Sequence, residues 1–308
     1  MKALVILVAI LMIVSPAMAG YEVVDLGIVG QSFSTDINCQ GEVCGFSYFG
    51  KTNHAFTDGV MVPRMAEAYG IDDCGTVVGS TLIRYQVRPS VCYSGKTFLL
   101  QTLGGEFGCA RAISKGVIVG QAEKRFGSNA FSRPCWWPSG KKAFELFTNP
   151  GMGWAEAINS RRQIVGTFFP EGQGPSVFLW QRGRVIWLGP GYASAINDRG
   201  AVVGYSPTEN GFQATLWRQR NTPLILPSPD GQSWTNDINN LGEIVGLAQT
   251  SQGYRAVIWQ NGQITDLNEL VESGDWLIFS AQAINDRGQI ACRGYKEGQT
   301  HALLLNPQ

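Results

Sequence analysis

The sequence predicts an all-β fold: a seven-bladed β-propeller of four-stranded antiparallel blades, with its ring closed by the N-terminal strand. Three observations lead there. One phrase recurs seven times, anchored at Ile37, Ile71, Ile113, Ile158, Ile196, Ile238 and Ile284, with successive spacings of 34, 42, 45, 38, 42 and 46 residues. Self-similarity at that period belongs to propellers, solenoids or arrays. Each copy divides into four short strand-like runs separated by turn residues, and no segment sustains helical periodicity. Finally, the ends complement each other. The last repeat stops after its third strand, at Leu305-Asn-Pro-Gln308, and Tyr21-Glu-Val-Val-Asp-Leu-Gly27 reads as the missing fourth, closest to Ile264-Thr-Asp-Leu267. A solenoid would need capping repeats with polar outer faces, and none is visible.

From the N-terminus, Met1-Lys2, the apolar run Ala3 to Val14, the Ser15-Pro16 break and Ala17-Met-Ala19 form an n-region, an h-region and a cleavage site. Residues 1–19 are therefore expected to be a signal peptide. The alternative is an uncleaved anchor, for which the run is short. Residues 20–308 form one expected propeller domain, exported to the periplasm or beyond, with no stable membrane span after cleavage. The chain has 24 basic and 24 acidic residues, so no charge excess serves nucleic acid. Its 38 glycines and sparse charge suit many tight turns.

The repeat around Ile196 shows the grammar of a blade. Tyr192 to Asn197 is the first strand, and Asp198-Arg-Gly200 is a turn whose Gly supplies positive φ. Ala201-Val-Val-Gly-Tyr205, Ala214-Thr-Leu-Trp217 and Pro223-Leu-Ile-Leu226 follow as the second, third and fourth strands. Strand three recurs as Val177-Phe-Leu-Trp180 and Ala256-Val-Ile-Trp259, so Trp137, Trp180, Trp217 and Trp259 are expected in the core. The turn aspartates Asp198 and Asp286 read as structural, and His54 as a strand-start hydrogen-bonder.

All seven cysteines lie beyond residue 19. In an oxidising compartment disulfides are the default. Locality in sequence suggests Cys39–Cys44, Cys74–Cys92 and Cys109–Cys135, with Cys292 spare, although spacing alone does not fix the pairing. No ligand spacing for a metal appears with only His54 and His301 present, and no cofactor is expected.

The string His54-Ala-Phe56, its relatives His301-Ala-Leu303 and Ala256-Val-Ile-Trp259, and the Ala-x-x-Ile-Asn-x-x-Gly-x-Ile-Val-Gly cores resemble the bacterial HAF-repeat family of extracellular proteins. The resemblance covers nearly all of residues 20–308. It implies export and repeat architecture, and carries no catalytic or binding residues to transfer. Arg162 replaces the turn Gly of repeat four and Cys292 the strand-two Gly of repeat seven, so local distortion is expected in both blades.

In such a ring strand one lies nearest the axis. The turns from strand one to two and from three to four share one face. The links from strand two to three (121–133 and 206–213 among them) and from blade to blade (227–233, 268–279) share the other, expected to be the loop-rich, functional face. Two columns of strand one stand out there. Four residues before the anchor come Phe33, Trp154, Tyr192 and Trp234; two before it come Thr35, Tyr69, Arg111, Glu156, Ser194, Asn236 and Gln282. Phe33, Tyr69, Arg111, Trp154, Glu156, Tyr192, Trp234, Asn236 and Gln282 are the candidate ligand-binding residues, since aromatics and varied polar groups together suit sugar or peptide planes. The competing reading makes the aromatics blade packing and the polar variety solvated drift.

Catalytic motifs are poor. Ser228-Pro-Asp-Gly-Gln-Ser-Trp234 is one residue short of an Asp-box and falls between blades, and no G-x-S-x-G elbow occurs. The leading expectation is a non-catalytic exported propeller that binds a glycan, peptide or surface protein. The alternative is a glycoside hydrolase or lyase using Glu156 with a second carboxylate such as Asp36 or Asp237. A third is an envelope scaffold linked covalently through Cys292.

Overall fold

The computed structural model describes residues 20–308 apart from 128, 219–221 and 273–274; the expected signal peptide, 1–19, lies outside the described residues. Seven four-stranded antiparallel sheets form the blades of a seven-bladed propeller. Blades one to six occupy 31–61, 67–99, 104–145, 151–190, 192–225 and 233–266, each a meander in sequence order. Blade seven combines Leu277–Ile284, Ile290–Lys296 and Gln299–Pro307 with the N-terminal strand Tyr21–Asp25. That strand pairs antiparallel with Gln299–Pro307, from Tyr21 opposite Pro307 to Asp25 opposite Leu303, and closes the ring as expected. The described residues include one 3-10 turn, Leu267–Glu269, and no helix long and apolar enough to cross a membrane.

The core lies between blades. Leu216 and Leu226 of blade five, for example, pack with Ile238, Ile244, Val257 and Trp259 of blade six. Trp137, Trp217 and Trp259 are buried, whereas Trp180 is only half-buried and tilts against Trp136. The Trp137 and Trp259 indoles donate to the carbonyls of Gln101 and Pro227 in the preceding interblade links, at 3.0 and 2.7 Å. The same side chains thus fill the seam and tie it polarly.

The residue after each anchor isoleucine organises the opposite face. Asn239 Oδ1 accepts from the amides of Leu241 and Glu243 at 3.1 and 3.0 Å, closing its own strand-one-to-two turn. Its Nδ2 donates to the Asn285 carbonyl of the next blade at 3.2 Å. Asn38, Asn159, Asn197 and Asn285 do the same toward Asp72, Asn197, Asn239 and Asn38. Asp72 closes its turn but has no amide to donate, and Ser114 stands at this position in blade three, so the lateral chain is interrupted on both sides of that blade. The turn aspartates add a second tier: Ser160 donates its amide to Asp198, and Asn240 donates amide and side chain to Asp286. Asp198 and Asp286 are structural, as their recurrence implied.

Several expectations are corrected. All seven cysteines are free thiols, so Cys39–Cys44, Cys74–Cys92 and Cys109–Cys135 are not bridged. Cys39 and Cys74 stand on exposed turns, while Cys44 and Cys92 are buried in their sheets. Cys109 and Cys135 lie on strands one and three of one blade, opposite Gln121 and Gly120 of the strand between them; two strand spacings of about 4.8 Å exceed the reach of a disulfide, about 7 Å between Cα atoms. Cys292 is fully buried, out of reach of a covalent partner, and burial pushes its thiol well up. The segments 121–133 and 206–213, expected as long loops, are mostly strand, in the paired runs Val117–Phe126 with Asn129–Trp137 and Val202–Thr208 with Gly211–Trp217. Blade four is not distorted at Arg162. That residue adopts φ 60° and keeps the same turn, its amide donating to the Asn159 carbonyl at 3.0 Å.

Two stability changes follow. Asn239→Ala strips two turn amides and one lateral bond at a buried site and is expected to cost about 2 kcal/mol, read as a lower urea midpoint with unchanged slope. Arg162→Gly relieves a left-handed side-chain residue and is expected to raise stability by roughly 0.5–1 kcal/mol in the same titration; a drop would mean that the Arg162 side chain holds the turn.

Candidate functional site

The inner strands share an irregularity. Register slips by one residue between Ser34 and Asp36, Ala68 and Gly70, Ala110 and Ala112, Ala155 and Ala157, Ala193 and Ala195, Thr235 and Asp237, and Ala281 and Ala283. The residue skipped in each is Thr35, Tyr69, Arg111, Glu156, Ser194, Asn236 or Gln282, the variable polar column. A β-bulge takes its extra residue out of the ladder and re-aims the side chain. All seven line one cavity of about 590 Å³ on the axis, at the end of the inner strands away from the Asn turns.

The bulge also explains the strand-two glycines. A Cβ at Gly45, Gly79, Gly120, Gly166, Gly204 or Gly246 would overlap a carbonyl of the facing inner strand. In blade seven, where Cys292 replaces that glycine, the inner strand carries a second register slip between Ile278 and Ser280. Blade three, which keeps Gly120, also slips a second time, between Gly104 and Gly108, so the second slip is not specific to the replaced glycine.

Of the nine candidates, Tyr69, Arg111, Trp154, Glu156, Tyr192, Asn236 and Gln282 line the cavity; Phe33 and Trp234 do not. Phe33 stacks on Phe46, a lining residue, at 5.2 Å between ring centres, and Trp234 packs on Tyr254. Tyr192 lines the cavity and also stacks on Tyr205 opposite it at 4.9 Å, so packing and lining coincide there.

Arg111 donates to Glu156 at 2.9 Å, spanning blades three and four, and sits 5.7 Å over the Trp154 ring. Its Nε is buried without a partner among the described residues. Burial raises the Glu156 carboxyl above its ordinary value, and Arg111 pulls the other way. Asn236 and Thr35 donate to the Ala281 and Ala68 carbonyls of the next blades at 2.6 and 2.9 Å.

Below the bulges lies a waist of small residues, Ala112, Ala157 and Ala195 among them, interrupted by Asp36 and Asp237. These line both this cavity and a second of about 380 Å³ that opens among the Asn turns. Asp36 accepts the Ile37 and Ile71 amides at 2.8 and 2.9 Å, and Asp237 those of Ile238 and Ile284 at 2.8 Å each. Burial, and then the charge of Asp237, raises Asp36 to about 7; burial raises Asp237 to about 6.

Sequence reading missed Arg293, Tyr205, Phe46 and Thr167 in the cavity wall. Each follows the strand-two glycine or its replacement, a position that varies from blade to blade as the bulge column does. That variation is the signal that would have found them.

No family model matches the chain, and no curated protein matches it. Solved structures do. The β-propeller domain of the Trilobed protease from Pyrococcus furiosus, described as having an open velcro topology, is similar over 78% of this chain and 82% of that one, at 14% identity and a TM-score of 0.57. TolB from Acinetobacter baumannii is similar over 66% of this chain at 13% identity and a TM-score of 0.52, and the alignment spans only 56% of that structure. A Mycobacterium tuberculosis puromycin-hydrolyzing peptidase aligns over 87% of this chain and 47% of its own, at 11% identity and a TM-score of 0.50. At such identities the likeness shows the propeller fold alone.

Because both waist aspartates titrate above their usual range, the native state holds protons that the unfolded chain releases. Their contribution to stability is complete below about pH 4 and is lost as pH rises through about 6 to 7. Asp237→Asn removes the neighbouring charge, so the Asp36 carboxyl resonance, followed by ¹³C NMR, is expected to titrate below the value of about 7 that it holds with Asp237 present. An unmoved midpoint would mean that burial alone sets it.

Proposed function

We propose that this protein is an exported, non-catalytic binding module that receives a small polar ligand, a glycan or peptide segment, in the bulge-lined cavity on the axis. The observation that carries the reading is the set of seven bulges. A ring that served only the fold would favour one residue type, as asparagine is favoured at five of the seven turn positions on the other face. The bulge ring instead presents two hydroxyls, a phenol, an ion pair and two carboxamides beside Trp154 and Tyr192. The cavity volume falls within the usual range for small-ligand sites, about 300–1,000 Å³. Export rests on residues 1–19, and membership among HAF-repeat proteins rests on the repeat cores.

The hydrolase or lyase alternative has less support. Glu156 is paired with Arg111, and each oxygen of Asp36 and Asp237 accepts a backbone amide. These are committed acceptors rather than a free acid and base.

The test is incubation of the purified chain with oligosaccharide and peptide libraries, read by mass spectrometry. Retention without new products is expected, weakened about 3–10-fold in Gln282→Ala and Tyr192→Ala. New products that disappear in Glu156→Gln would replace the binding reading with the enzymatic one. Retention untouched by both alanine variants would move the ligand away from this cavity.

A further inference from the structure

Arg293 is the most informative residue in the cavity wall. It is half-buried, and among the described residues no carboxylate lies within ion-pair distance of it. Its Nε donates to the Ser34 carbonyl at 3.1 Å, across the seam between blades seven and one. Its guanidinium lies 5.5 Å from the centre of the Phe33 ring, which is itself stacked on Phe46. The side chain is thus held from behind by an aromatic face and one carbonyl, while its Nη groups make no hydrogen bond to the described residues. By contrast Arg111, in the same cavity, has Glu156 as its partner.

A cation withdrawn from water without a counter-charge is costly unless something else supplies one. Burial alone pulls Arg293 down to about 10, with no neighbouring carboxylate acting against it. The waist aspartates do not serve, since their oxygens accept backbone amides. A guanidinium fork fixed at one edge and free at the other matches a planar carboxylate, which it can take in two parallel bonds. The rest of the wall suits a polyhydroxylated body: Ser194, Asn236 and Gln282 offer neutral donors and acceptors, and Tyr192, Tyr205 and Trp154 offer faces for a sugar ring.

Resting on the binding reading above, we propose that the ligand is an acidic saccharide whose carboxylate is taken by Arg293, with Phe33 as the residue that positions the guanidinium. Phe33 thereby acts in the site from behind its wall.

The experiment is calorimetric titration of the intact chain with trigalacturonate, with its fully methyl-esterified form and with a tripeptide ending in glutamate. The acid is expected to bind at least about tenfold more tightly than the ester. In Arg293→Gln that preference should fall to within about threefold while ester affinity holds, and Arg293→Lys should keep part of it. The acid–ester comparison in the unsubstituted chain stands even if Arg293→Gln folds poorly through loss of the Ser34 contact. Equal binding of acid and ester would overturn the assignment of charge and leave the binding reading intact. Preference for the peptide would overturn the sugar class. Binding of none of the three would overturn the inference, with the library experiment then deciding the wider reading.

Discussion

The asparagine side chain that follows five of the seven anchor isoleucines is the interaction on which the ring depends. One carboxamide does two jobs at two scales. Its oxygen closes the tight turn of its own blade, and its nitrogen reaches the same position in the next. Local turn geometry and closure of the ring are therefore satisfied by the same group, and both sit in a buried setting where an unmet backbone amide is costly. Aspartate can do the first job only and serine neither, and around blade three, where Asp72 and Ser114 stand, other contacts take over. Trp137 reaches back to Gln101 in the link from blade two. Arg111 reaches forward to Glu156 of blade four. Arg133, almost wholly buried and bonded to Glu145 at 2.6 Å, donates to the carbonyls of Phe147, Asn149 and Gly151 in the link between blades three and four.

The other face obeys a different constraint. Each bulge brings an inner-strand carbonyl against strand two, which is why glycine recurs there. Blade seven departs from this rule. With Cys292 in the glycine's place, its inner strand slips a second time, as does that of blade three, which keeps Gly120, between Gly104 and Gly108; the wall residue that follows Cys292 is Arg293. The blade without the glycine thus supplies the unpaired charge of the cavity.

Much of the architecture was legible because repetition amplifies weak local signals. A single Ile-Asn-Asp-Arg-Gly turn says little, whereas two such turns with five looser copies at a similar period specify blades, and the unmatched strands at the two ends specify closure. The polar column was legible for the same reason: a position that varies inside an otherwise repeated frame stands out. The bulge behind it was not, because a bulge leaves no residue type of its own in the strand that carries it. Arg293 was missed because the varying column was sought only on the inner strand, although the position after the strand-two glycine, or after Cys292 in its place, varies in the same way. The disulfide pairing failed for a geometric reason. Nearness along the chain places Cys109 and Cys135 in one blade, but on strands separated by a third. Phe33 and Trp234 share a column with Trp154 and Tyr192, and sequence does not reveal that their rings turn toward Phe46 and Tyr254 instead of the axis.

The bulges have a consequence for how such a chain can change over time. A residue left out of the ladder forms no register pair, and at the mouth of an axial cavity it need not fill a core. Substitution there leaves the strand pairing largely as it was. Thr35, Arg111, Glu156 and Asn236 are tied to neighbouring blades, but Tyr69, Ser194 and Gln282 have no side-chain bond across a seam among the described residues and can be varied almost independently, each altering the chemistry of the same small volume. At those three positions the scaffold is insulated from its own specificity, so the cavity's chemistry can change there without loss of a bond between blades.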